Sequence, residues 1–148
     1  MKKGNILKCS QDIICHQTNC MGVMGSGLAK QIKEKYPEVF KGYYYTCKTT
    51  PAPEIFGTAL ICEANDGKYI ANLFGQMNYG TDKQYTDYDK LKQALQEVHS
   101  FAKAKNLSVA IPYKLGCGLA GGDWNTVFDI ITEIFYDDVE LEIYKYEG

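Results

Sequence analysis

The chain has 148 residues with sixteen basic and eighteen acidic side chains, a formal net charge of −2 and six cysteines. This length suits a single domain spanning residues 1–148, which removes roughly 70% of the unfolded chain's surface from water without help from disulfides. The charge balance excludes a global field that would steer DNA, RNA or an anionic membrane toward the surface, so nucleic acid is not an expected partner.

Cys9, Cys15, Cys20, Cys47, Cys62 and Cys117 form no C-x-x-C pair, and only His16 and His99 are available as co-ligands. The cysteines read as reduced, mostly buried thiols of a cytoplasmic protein, and no metal site is expected. Met1-Lys2-Lys3-Gly4-Asn5 lacks the apolar run of an export signal. Nowhere does the chain approach the ~18 apolar residues of a membrane span, so no membrane partner is expected.

In chain order, Asp12 to Thr18 reads as a strand that passes through Gly22-Val23-Met24-Gly25-Ser26-Gly27 into a helix from Gly27 to Tyr36, which Pro37 ends or restarts. A second helix covers Glu38 to Cys47, and Thr49-Thr50-Pro51-Ala52-Pro53 is a loop by composition. Thr58–Glu63 and Tyr69–Phe74 form a hairpin through Asn65-Asp66-Gly67-Lys68. Thr86 is the expected N-cap of a helix running to Lys105, with Leu91, Leu95, Val98 and Phe101 on its apolar face, and Asn106 closes it.

Ser108 to Pro112 is a buried strand leading to a second glycine turn, Gly116-Cys117-Gly118-Leu119-Ala120-Gly121-Gly122, followed by a helix from Asp123 to Phe135 and a last strand from Val139 to Tyr146. Strand–helix–strand units beside a hairpin imply a three-layer α/β/α fold with a mixed central sheet. Glycines let backbone N–H groups approach an anion, and a following helix adds unpaired N–H groups and the positive end of its dipole. Two such turns at the ends of separate strands point to an extended phosphorylated ligand. The first turn fits neither a Rossmann nor a P-loop fingerprint: Lys30 stands where the Rossmann pattern requires glycine, and Leu28-Ala29 follows Gly27 where the P-loop requires Lys-Ser/Thr.

Four segments together resemble the ADP-ribose-binding macrodomain family: Lys3-Gly4-Asn5-Ile6-Leu7, Ile14-Cys15-His16-Gln17-Thr18-Asn19-Cys20, Met24-Gly25-Ser26-Gly27-Leu28-Ala29, and Ile111-Pro112 with Gly116 through Trp124. They occur in the family's order over nearly the whole chain. They are most similar to the branch holding ADP-ribose 1''-phosphate phosphatases and the terminal ADP-ribose protein glycohydrolase. The resemblance implies that Asn5 and Ile6 meet the adenine edge, with Tyr144 and Tyr146 beside it, although both tyrosines also read as ordinary strand aromatics. It implies that Asn19, Met24, Gly25 and Gly27 surround the distal ribose with Gly75 and Gln76. It also implies that Lys114, Leu115, Gly116, Cys117, Gly118, Leu119, Ala120 and Gly121 wrap the diphosphate and ribose. Each amide bonded to a charged phosphate contributes roughly 1.5 to 3 kcal/mol, so four or five suffice for micromolar binding after ordering costs.

The glycohydrolase branch has a lysine where this chain has Gln76 and an aspartate where it has Ala120, so a lysine-adduct mechanism is not expected. Near the implied distal ribose stand His16, Asn19, Gln76, Tyr79, Tyr85 and Asp123. His16 reads equally as a general acid or base and as a hydrogen-bonded core residue, and Asp123 as a catalytic carboxylate or a helix N-cap. A nucleophilic Cys117 is a lesser alternative. The expected function is binding of ADP-ribose, free or on protein, with hydrolysis of a distal-ribose derivative and no cofactor. The alternative is a reader module that binds without turnover.

Overall fold

The computed structural model describes residues 1–146. Six strands form one sheet: β1 (Lys2–Lys3), β2 (Ile13–Thr18), β3 (Ala59–Glu63), β4 (Tyr69–Phe74), β5 (Val109–Pro112) and β6 (Leu141–Lys145), in the order β1-β6-β5-β2-β4-β3. All neighbours are parallel except β3 and β4, whose hairpin turns at Gly67 with φ +90° and closes with Ala64 N–H donating to Lys68 O at 2.7 Å. The helices are α1 (Gly27–Lys35), α2 (Pro37–Thr49), α3 (Ala52–Ile55), α4 (Tyr88–Lys105) and α5 (Trp124–Ile134).

Alternation along the strands sorts the core into layers. Ile13, Cys15, Leu73, Val109, Ile111 and Ile143 pack with Leu91, Leu95 and Val98 of α4 and Val127 and Ile131 of α5. On the other face Ile14, Ile70, Ala110 and Tyr144 meet Ile32 of α1 and Val39 of α2. Helices therefore cover both faces of a mixed sheet, the three-layer arrangement expected from the element order.

Four boundaries differ from the sequence reading, each for a local reason. Pro51 starts a helical turn, Ala52–Ile55, which overlaps the end of the stretch expected to be a loop, Thr49 to Pro53. The last strand is shorter than expected, because Asp137 Oδ1 accepts from Val139 N–H and holds the chain in a turn before Leu141. Lys2–Lys3 pairs with Tyr144–Lys145, although two exposed lysines carry no strand periodicity. Finally, Asp87 caps α4 in place of Thr86: its side chain accepts from Lys90 N–H at 3.1 Å, while the Thr86 hydroxyl turns inward to donate to Gly116 O at 2.7 Å.

After β2 the chain builds β3 and β4 on one side, and α4 then carries it across to β5 on the other. The carboxyl ends of β2, β4 and β5 thus open on one crevice where the winding reverses, the place where ligands bind in open α/β sheets. Asp87→Ala should lower the unfolding free energy by about 1 kcal/mol in urea denaturation, the usual cost of a lost N-cap. An unchanged midpoint would show that Asp87 does not cap α4.

Candidate functional site: a cavity between two glycine turns

A cavity of about 760 Å³ occupies that crevice. Its lining includes His16, Gln17, Thr18 and Asn19 from the end of β2, Gly25 to Ala29 from the first turn and α1, Gln76 and Tyr79 after β4, and Pro112 to Gly116 with Gly118 to Ala120 after β5.

The first turn is held by Asn19. Its Oδ1 accepts from the N–H groups of Met21 and Val23 at 3.0 and 3.4 Å, its Nδ2 donates to Val23 O at 2.9 Å, and the Tyr43 hydroxyl lies 2.8 Å from both Asn19 O and Oδ1. Tyr43 is itself fully buried, stacked on Phe74 with ring centroids 5.9 Å apart. The turn then enters α1, where Ser26 stands at the N-cap without making a side-chain cap bond. Gly27, Leu28 and Ala29, all in the lining, are at the end of a helix where backbone N–H groups lack intrahelical acceptors. Their dipole is positive toward the cavity.

The second turn folds on itself. Cys117 N–H donates to Lys114 O at 2.8 Å, Gly121 N–H to Gly118 O at 3.0 Å, and Gly122 N–H to Gly116 O at 2.9 Å. Gly116 and Gly121 have φ +71° and +78°, and a Cβ on Gly122 would stand 2.6 Å from Gly116 O. The segment after β4 pins this turn from outside, with Tyr85 N–H and Thr86 N–H donating to Ala120 O at 2.8 and 3.2 Å. Among the described residues, the amides of Gly116, Gly118, Leu119 and Ala120 find no protein acceptor. These four face the same cavity as the start of α1.

The structure brings together Asn19, Gly25, Gly27, Gln76, Lys114, Leu115, Gly116, Gly118, Leu119, Ala120 and His16. It leaves other expected residues outside the lining. Asn5 Oδ1 is engaged as the cap of the following 3-10 turn, accepting from Leu7 N–H at 2.9 Å, and Ile6 is buried in the core. Met24 packs with Tyr43 and Phe74, so only its backbone borders the first turn. Gly75 stands behind Gln17, whose Oε1 fills the space its Cβ would take at 2.5 Å. Gly121 packs against the backbone of Gln84. Tyr144 is buried, its hydroxyl donating to Gln11 Oε1 at 2.6 Å, and Tyr146 is exposed beyond β6.

Asp123 is an exposed N-cap outside the cavity lining: its Oδ2 accepts from Thr126 N–H and the Thr126 hydroxyl at 3.0 and 3.1 Å, the helix-cap reading of this residue. The Cys117 thiol donates to Leu115 O at 3.3 Å, and burial, with the Asp123 charge, pushes its pKa up to about 11, the opposite of an activated nucleophile. Tyr85 donates to Asp82 at 2.5 Å and also lies outside the lining.

His16 lies on the cavity floor and is almost wholly buried. Its Nε2 donates to Asn72 Oδ1 at 2.6 Å, and Asn72 Nδ2 donates to Leu60 O at 3.0 Å, so the carboxamide orientation sets the imidazole tautomer. Nδ1 is left as an acceptor without a partner among the described residues. Burial lowers the His16 pKa to about 4 against the raising effect of Asn72, so the ring is neutral at pH 7.

Sequence reasoning missed Gln17, Thr86 and Tyr43. The Tyr43-Tyr44-Tyr45 run hides which ring turns inward, and the helical phase set by Val39 and Tyr43 is the signal that separates it from exposed Tyr44 and Tyr45.

The family model for the Macro domain matches residues 15–131. The chain belongs to the macrodomain family. The chain is 30% identical to the DNA ADP-ribosyl glycohydrolase of Mycobacterium tuberculosis over 98% of its own length and 41% of that protein's. It therefore spans about two fifths of the length of the mycobacterial relatives. It is 25% identical to the ADP-ribose 1''-phosphate phosphatase of Saccharomyces cerevisiae, covering 97% of this chain and 96% of the relative. The macrodomain of Mycobacterium tuberculosis DarG superposes with a TM-score of 0.80 at 26% identity, covering 98% of this chain and 94% of that one.

The His16 environment sets a pH dependence. Its folded-state pKa lies below the unfolded value of about 6.5, so between the two the unfolded chain binds a proton that the folded chain refuses. Stability from this group is undiminished above about pH 6.5, falls as pH drops toward about 4, and levels off below. His16→Asn should therefore lose roughly 3 kcal/mol less than the unmodified protein between pH 7 and pH 4 in urea unfolding. Parallel pH profiles would contradict a neutral buried His16.

Proposed function

We propose that this chain binds ADP-ribose and hydrolyses a substituent from its distal ribose. The observation that carries the reading is the convergence on one cavity of unbonded amides from the second turn with the uncapped N-terminus of α1. Such a cradle suits a diphosphate, whose charge is met by fixed dipoles without a cluster of cations. The lining holds a single lysine, Lys114, and no carboxylate.

The reaction this site favours is one in which bond breaking at the anomeric carbon runs ahead of water attack, because an oxocarbenium-like transition state asks little of a general base. His16 then stands as a neutral ring in the cavity lining, and the turns supply positioning. Gln76 and Ala120 stand where the resembling glycohydrolase has its lysine and aspartate, which argues against a covalent lysine intermediate. The two relatives bracket the substituent: one is named for ADP-ribosylated DNA, the other for a 1''-phosphate. With a net charge of −2, a DNA substrate would be held through its modified nucleotide more than through its backbone.

The reader alternative rests on a specific observation, the lack of any carboxylate in the lining. Isothermal titration with ADP-ribose should give micromolar affinity. Incubation with ADP-ribose 1''-phosphate, an ADP-ribosyl-glutamate peptide and an ADP-ribosylated oligonucleotide should release product from at least one. Binding with no product from any of the three favours the reader, and no binding overturns the assignment.

A further inference from the structure

The hydrogen bonds around the Gln17 carboxamide run in one direction and can be assigned atom by atom. Gln76 Nε2 donates to Asn78 O at 2.8 Å, which leaves Gln76 Oε1 as an acceptor. The Thr86 hydroxyl donates to Gly116 O at 2.7 Å, so its oxygen is free to accept. Gln17 Nε2 uses its two protons on these two acceptors, reaching Gln76 Oε1 at 2.7 Å and Thr86 Oγ1 at 2.8 Å. A reversed carboxamide would set oxygen against oxygen at Gln76.

The remaining atom, Gln17 Oε1, is buried and has no partner among the described residues. It sits in a notch between two glycines, 2.5 Å from where a Cβ on Gly75 would stand and 2.8 Å from one on Gly116. A fold assembled for stability alone would place an apolar side chain there, since an unmatched buried carbonyl is destabilising. The arrangement is explained if the two bonds made by Nε2 serve the site.

We propose that Gln17 is a positioning residue whose carboxamide ties the Gln76 end of the cavity to the second glycine turn. Through Thr86 it holds the Gly116 carbonyl, and with it the direction in which the neighbouring free amides point. The backbone already joins these ends through Thr86, which bridges Gln76 and donates its N–H to Ala120 O at 3.2 Å, and the Gln17 carboxamide adds the side-chain link that fixes Gln76 Oε1 and Thr86 Oγ1 together. This proposal rests on the reading of the cavity as an ADP-ribose site, and it predicts an effect on affinity without a matching effect on stability.

The test is a double-mutant cycle of Gln17→Met and Thr86→Val, read by isothermal titration with ADP-ribose, with melting temperatures measured in parallel. Gln17→Met should weaken binding about tenfold while its melting temperature stays at or above that of the unmodified protein. The double variant should bind no more weakly than the worse single, because both act through one relay. Unchanged affinity in Gln17→Met, multiplying effects in the double variant, or a loss of affinity that tracks a lower melting temperature would each overturn it. Gln17→Glu, isosteric but without the donors, should reproduce the weakening and serves if the methionine variant does not fold.

A ligand-free measurement separates this proposal from the binding reading. In ¹⁵N spectra of the apo protein, Gln17→Met should shift the Gln76 side-chain amide and the backbone amides of Gly116 to Ala120 together. If the unmodified protein fails to bind ADP-ribose but these shifts occur, the ligand assignment fails and the brace stands. If the shifts are absent, the brace fails whatever binds.

Discussion

A backbone N–H that finds no acceptor within its own loop must be met by water or by an anion, and the site of this macrodomain is built from that constraint. Internal bonds within Lys114 to Gly122 satisfy the amides that close the turn and leave Gly116, Gly118, Leu119 and Ala120 facing the cavity. At α1, Ser26 occupies the cap position without capping, which leaves the helix end directed at the same space. The lining has one lysine and no carboxylate, so the field in the cavity is set largely by dipoles already fixed by the fold.

Fixed dipoles help only if the turns do not have to be ordered when ligand arrives. Each turn is held by a side chain from elsewhere in the chain. Asn19 ties the first internally, with buried Tyr43 of α2 behind it. The segment preceding α4 holds the second through Thr86 and the two amides that meet Ala120 O. Both arrangements place the cost of ordering in folding, where the packed layers on either face of the sheet offset it.

Features governed by neighbours in sequence were legible before the structure. The glycine turns, the Asn65–Lys68 hairpin and the periodicity of α4 and α5 are local patterns, and each stands close to its expected place. Thr86 and Asp87 are both good capping residues, and only the contact of Thr86 with Gly116, thirty positions away, decides between them. Gln17 meets partners 59 and 69 residues distant, which no window along the chain contains. The resemblance pointed to the turns that line the cavity more sharply than to the side chains around them. Asn5 is occupied by its own cap and Asp123 by Thr126, both local bonds, and Tyr144 by Gln11 from 133 positions away, none of which a motif reveals.

The most direct test of the amide cradle is a ¹⁵N chemical-shift titration of the protein with ADP-ribose. The account predicts the largest saturable shifts at Gly27, Leu28 and Ala29 and at Gly116, Gly118, Leu119 and Ala120. Shifts concentrated instead in the hollow at the opposite end of the sheet, around Asp12, Lys103 and Val139, would contradict it.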